Sequence, residues 1–224
     1  MGFGLWLFII TFVGTLLVQF WLKRTYGRYA RVANASGLSG AEVAKAMLRA
    51  NGLHDVRVEP VQGVLSDHYD PRSRTVRLSA DNYRKASVAG MAVAAHEVGH
   101  AIQHAKGYTP LQVRAALVPV ASIGANFGPW LVIIGFMIGA MGLAQIGIIL
   151  FAAAVLFQLV TLPVEFDASN RAMRQLAQMG LVTPTDSGGA RMVLNAAAMT
   201  YVAALAASLA YLLYYLSIFL ANRE

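Results

Sequence analysis

The chain has 224 residues, of which 57% are hydrophobic and 13% charged, with a mean hydropathy of +0.54. A soluble domain carries about 25% charged residues, so the composition excludes an ordinary soluble domain and implies a membrane protein whose partner is the lipid bilayer. There is no cysteine, which excludes disulfides and thiolate ligands; the net charge of +7 comes without any aromatic–basic interleaving, so nucleic acid is not an expected partner.

Leu5 to Leu22 is an apolar run long enough to cross a bilayer. No positive residue precedes it, whereas Lys23, Arg24, Arg28 and Arg31 follow it. The run is therefore read as a first span rather than a signal peptide, with the N-terminus outside and residue 23 onward in the cytoplasm. Residues 23–114 carry 14 Lys/Arg and 7 Asp/Glu, a net +7 that accounts for the whole chain's excess.

Within that segment Ser39-Gly40-Ala41-Glu42 is a capping box, predicting a helix from about Gly40 to Ala50 that stops at Asn51-Gly52. Val56-Arg57-Val58 and Thr75-Val76-Arg77-Leu78-Ser79 alternate and predict a small sheet, joined across an Asp70-Pro71-Arg72-Ser73 turn. An edge strand there is a candidate for pairing with an extended peptide; a plain structural hairpin is the competing reading. A helix is expected from Tyr83 to about His104.

That helix carries His96-Glu97-Val98-Gly99-His100, an H-E-x-x-H. Histidines four apart lie on one helical face, so their ring nitrogens can converge on one metal ion. Glu97 can take the proton of a water that zinc has acidified. The pattern is that of zinc-dependent hydrolases. A straight helix sets His104 about 12 Å along the axis from His96, too far to share the ion, so His104 is read as a neighbour of the site or a surface residue. The third ligand must come from elsewhere.

Ala115 to Val164 contains no charged residue. As a helix this stretch would run about 75 Å, enough for two crossings and a turn. Spans are expected near Leu117–Ile138 and Ile146–Leu162, with an uncharged turn at Gly139–Gln145 and a kink or re-entrant piece at Gly128-Pro129. Gly135 and Gly139 read as a helix-packing pair. Two crossings deliver Glu165 to the membrane face that holds the H-E-x-x-H. A loop is expected at Thr183–Gly189, followed by a last span from Val193 to Leu220, in which Tyr211, Tyr214 and Tyr215 suggest an interfacial belt. Asn222-Arg223-Glu224 would lie outside.

The H-E-V-G-H on a membrane-tethered domain, two spans and then Glu165-Phe166-Asp167-Ala168-Ser169-Asn170-Arg171-Ala172 resemble a gluzincin-type membrane protease, broadly like the clan of HtpX and the CAAX prenyl proteases. A closer resemblance, over nearly the whole chain, is to the YugP-like neutral zinc metallopeptidases. It is carried by Ser66-Asp67-His68-Tyr69-Asp70-Pro71, Val93 to His104, Leu162-Pro163-Val164-Glu165-Phe166 and Val193 to Ala203. The resemblance implies Zn2+ held by His96, His100 and Glu165, with Glu97 as general base. The HtpX clan places Asp four residues after the glutamate ligand; Ser169 stands there in this chain. The bond that orients a zinc histidine must then come from Asp167, Ser169 or another group. His68, Tyr69 and Arg171 are candidates for stabilising an oxyanion, and for His68 a turn histidine bonded to backbone is the competing reading.

The expected fold class is mainly α: a polytopic membrane protein with four transmembrane helices and a small α+β zinc-peptidase domain. The expected organisation is a span over 1–22, a cytoplasmic peptidase region over 23–115, spans over 116–141 and 142–163, a cytoplasmic helix and loop over 164–192, and a last span with a short tail over 193–224. The expected function is a zinc metalloendopeptidase of the cell membrane, acting at the cytoplasmic surface on membrane-associated polypeptides. Quality control of membrane proteins is carried over from HtpX by analogy. A second copy of the chain or another membrane protein is a candidate partner. Two alternatives stand beside this. A site-2-type intramembrane protease would want an aspartate ligand beside glycine on a later span, and no such Asp-Gly occurs. A non-hydrolytic scaffold or chaperone subunit with structural zinc would function without Glu97.

Overall fold

A computed structural model describes residues 2–222 and is mainly helical with one small sheet. Met1, Arg223 and Glu224, assigned to the outside in the sequence reading, lie outside the described residues. Four helices are long and apolar enough to cross a membrane: α1 (Gly2–Tyr29), α5 (Thr109–Met137), α6 (Met141–Gln178) and α7 (Pro184–Ala221). Between α1 and α5 lie α2 (Gly40–Ala50), β1 (Arg57–Val61), β2 (His68–Asp70), β3 (Thr75–Ser79), α3 (Ala80–Arg84) and α4 (Val88–Ala105). The chain divides into two compact units. The apolar unit holds residues up to Val18, Thr109–Pro163 and those from Thr200 onward; the mixed unit holds Gln19–Tyr108 and Val164–Met199.

In the apolar unit α5 and α6 are joined by a tight turn in which Gly139 takes φ +70. Gly139 therefore makes the turn rather than a packing contact, while Gly135 does pack: a Cβ there would lie 2.5 Å from the Ala144 nitrogen. Close backbone approach recurs at Gly124, where a Cβ would meet the Leu150 carbonyl oxygen at 1.9 Å. Pro119 and Pro129 lie inside α5, which is one continuous helix, so no re-entrant break occurs at Gly128-Pro129. Tyr211 and Tyr215 of α7 contact neighbouring helices. Tyr215 meets Phe151 edge-on with centroids 5.9 Å apart, and the Tyr211 hydroxyl lies 3.1 Å from that of Thr11.

The mixed unit is built around α2 and α4. The Ser39 hydroxyl accepts from the Glu42 N–H and the Glu42 carboxylate accepts from the Ser39 N–H, the reciprocal box the sequence predicts. Asn51 closes α2 and Gly52 follows at φ +70, a conformation that favours glycine. Val43, Ala44, Met47 and Leu48 are buried with Met91, Ala94, Ala95 and Val98 of α4 in one core cluster.

The sheet differs from the expected hairpin of residues 56–58 with 75–79. β1 pairs with β3 in parallel, and the antiparallel partner of β3 is β2, so the order is β1-β3-β2. The turn at residues 71–74 joins β2 to β3, held by Asp70, whose carboxylate accepts from the Arg72 N–H and the Ser73 hydroxyl. The strand that leads to the H-E-x-x-H helix, β3, is thus central and almost wholly buried, not an edge. Arg77, its one partly exposed residue, reaches Asp70 on one neighbour at 3.1 Å and Glu59 on the other at 3.7 Å.

The single helix expected over 83–104 is two. α3 stops at Arg84, and Ser87, extended at φ −112 and ψ 156, caps α4 by accepting from the Gly90 N–H. Downstream, α6 carries Glu165 without interruption, so residues 142–178 form one helix rather than a span and a separate following helix. Pro163 withholds the N–H that would bond the carbonyl four residues back, yet its fixed φ is helical and the helix continues. The expected loop at Thr183–Gly189 is mostly the first turns of α7. Thr183 accepts from the Asp186 N–H, the Asp186 carboxylate accepts from the Thr183 N–H, and Pro184 occupies the first helical position.

Candidate metal centre

The small residues of α4 allow it to be buried on most sides. Gly99 matters most: a Cβ there would lie 2.6 Å from the Ala168 carbonyl oxygen, so only glycine lets the α6 backbone approach so closely. That approach brings Glu165 against the histidine face of α4. His96 Nε2 lies 3.3 Å and His100 Nε2 3.7 Å from Glu165 Oε2. One donor atom from each of the three residues falls within 4.8 Å of the others. The two imidazoles meet edge-on with centroids 4.7 Å apart. Their side chains are 15% and 11% exposed, against 4% for Glu165, so the site is shielded yet open on the histidine side.

The remaining ring nitrogens are occupied. His96 Nδ1 lies 3.1 Å from the Ser169 hydroxyl, and His100 Nδ1 lies 2.9 Å from Gln103 Oε1. Gln103 is fully buried and donates to the Val164 carbonyl at 2.9 Å and to Asp167 at 2.8 Å; Asp167 in turn pairs with Arg171. Ser169, in the place where the HtpX clan has Asp, thus bonds one histidine directly, and Asp167 reaches the other through Gln103. The sequence reading did not single out Gln103. Its signal was its position one turn after His100.

Glu97 is buried, and among the described residues its carboxylate has no hydrogen-bond partner. Burial raises its pKa above the ordinary carboxylate value, an effect that His96 and His100 only partly oppose. The other candidates lie elsewhere. His104 bonds the Tyr69 hydroxyl at 2.9 Å and is not among the convergent donors. His68 is exposed, with Nδ1 2.8 Å from the Ser66 carbonyl, which matches a turn histidine. Arg171 pairs with Asp167 and stacks over the Tyr108 ring.

Two imidazole nitrogens, each ring held by a second bond, and one carboxylate oxygen are a donor set that fits zinc with a position left for water or substrate. Fold and site together define a membrane-type zinc metallopeptidase framework. Residues 4–220 match the family described as "Putative neutral zinc metallopeptidase", and the chain belongs to that family. It is 45% identical to the "Putative membrane protease YugP" of Bacillus subtilis (strain 168) over 222 residues, covering 97% of this chain and 99% of the relative. No solved structure matches the chain.

Proposed function

We propose that the chain is a zinc metalloendopeptidase that hydrolyses peptide bonds of membrane-associated polypeptides at the cytoplasmic surface of the cell membrane. The observation that carries this reading is the convergence of His96, His100 and Glu165 within 4.8 Å, next to a buried glutamate in sequence position to serve as base. His96, His100 and Glu165 would hold the ion. When bound, zinc supplies Lewis acidity, polarising a carbonyl and making water acidic near neutral pH. Glu97 takes the proton from the attacking water and passes it to the leaving amine as the C–N bond breaks. Burial raises the basicity of its carboxylate. Ser169 and Gln103 hold the rings in place meanwhile.

The cytoplasmic assignment, with both termini outside, is supported by the net +7 over residues 23–114 and by Arg171, Arg174 and Arg191. The role in membrane-protein quality control rests on the resemblance to HtpX. The test is cleavage of an unfolded membrane-protein substrate by detergent-purified wild type and Glu97→Gln, with zinc content measured on both. Expected is a loss of cleavage of roughly 100-fold or more with zinc retained. Undiminished cleavage in Glu97→Gln, at matched zinc content, would sink the proposal.

A further inference from the structure

We infer that Gln103 is a positioning residue that fixes which nitrogen of His100 carries the ring proton, leaving the other free for the metal. The inference rests on the metal-centre reading above and concerns how that centre is held. Both partners of the Gln103 nitrogen, the Val164 carbonyl and the Asp167 carboxylate, can only accept. The Arg171 guanidinium donates to the same carboxylate oxygen, which thus accepts from both Arg171 and Gln103. The amide must therefore turn its NH2 toward these two acceptors, so its Oε1 faces His100 Nδ1 at 2.9 Å. An amide oxygen cannot donate. His100 must then donate from Nδ1, which puts the lone pair of the neutral ring on Nε2, the nitrogen that faces Glu165.

The two histidines differ in this respect. His96 Nδ1 meets the Ser169 hydroxyl, which can donate or accept, so its partner does not select a tautomer. For His100 the choice is imposed by a chain of one-way bonds, Arg171 to Asp167, Gln103 to Asp167 and Val164, and His100 to Gln103. Gln103 also ties α4 to α6, because both acceptors of its NH2 lie on α6. A test must separate the tie from the orientation of the ring.

The experiment is competition for zinc between a chromophoric chelator and full-length, detergent-purified chains, with melting of each metal-free chain measured alongside. Wild type comes first: failure to bind about one zinc takes down the metal-centre reading and this inference together. Gln103→Met, close in shape and unable to make these bonds, is expected to bind zinc ~10–100-fold more weakly and to shift the cobalt(II) absorption bands of the substituted site. Gln103→Glu sets two carboxylates against each other and should also lose affinity. Adding Asp167→Asn restores a donor facing one carboxylate oxygen while the Val164 carbonyl still faces an acceptor, so the double variant should recover part of that loss. Wild-type affinity in folded Gln103→Met would overturn the inference. So would a double variant no better than Gln103→Glu alone, or losses of affinity that only follow the melting temperature. If Gln103→Met fails to fold, the comparison of Gln103→Glu with the double variant decides.

Discussion

The two units bury their surfaces by different means. In the mixed unit the largest fully buried side chains include Met47, Leu78, Met91, Leu176 and Gln103, and a polar web runs through the interior. In the apolar unit Phe3, Trp6, Phe127, Trp130 and Ile149 are more than half exposed, while glycines bring helix backbones close beside a few buried large side chains such as Phe151. Large apolar side chains facing outward and small ones inward are what lipid selects, since lipid leaves no hydrophobic force to drive helices together. Burying bulk and satisfying every polar group is what water selects. The candidate metal donors lie in the unit where hydrogen bonds hold side chains to fixed positions.

The sharpest way to break this comparison is to remove a donor from the mixed unit. Glu165→Ala is expected to lose most of its zinc, on the order of 10-fold or more weaker binding, by elemental analysis of detergent-purified chain. Full zinc retention would show that the site draws on another residue. Next, Gly124→Leu should destabilise by about 1–3 kcal/mol or more, because its side chain would drive into the Leu150 carbonyl. Gly142→Leu, where a Cβ meets nothing within 4 Å, is the control, and thermal melting in detergent compares them. Equal melting would mean that close packing does not hold the apolar unit.

Smaller effects sharpen the mixed unit. Ser39→Ala should cost about 1 kcal/mol through the lost cap of α2, read by denaturant unfolding. The smallest concerns Asp70, whose carboxyl is held well below its ordinary 3.8 by the Ser73 hydroxyl and then by Arg77 and the Arg72 N–H. A depressed carboxylate stabilises above its unfolded value and loses that contribution as pH falls toward the folded one. Wild type should therefore melt above Asp70→Asn at neutral pH, and the gap should narrow below about pH 4. A gap unchanged in acid would remove Asp70 from the account.

Local signals were legible in the sequence, and contacts between distant segments were not. The capping box of α2 and the histidine pair of α4 are each written within five residues, so periodicity and capping chemistry suffice to read them. The alternation of residues 75–79 marks a strand but carries no information about its neighbours, so the parallel pairing with β1 was missed. A three-residue β2 gives almost no alternation at all. The expected boundary between residues 163 and 164 is absent, since the ring conformation of Pro163 is helical and the helix persists. Glu165 entered through resemblance rather than spacing. Gln103 escaped notice because an uncharged side chain on a buried face looks like packing until its three bonds are seen.

The order of the donors along the chain bears on synthesis. His100 emerges from the ribosome 65 residues before Glu165, and the stretch between them contains the uncharged run that must enter the bilayer. Until that run and the following turn of α6 have been made, the histidines lack both the carboxylate and Ser169. A nascent chain therefore carries the two histidines before the third candidate donor. The three donors can thus meet only after α1, α5 and the Glu165 turn of α6 have been made.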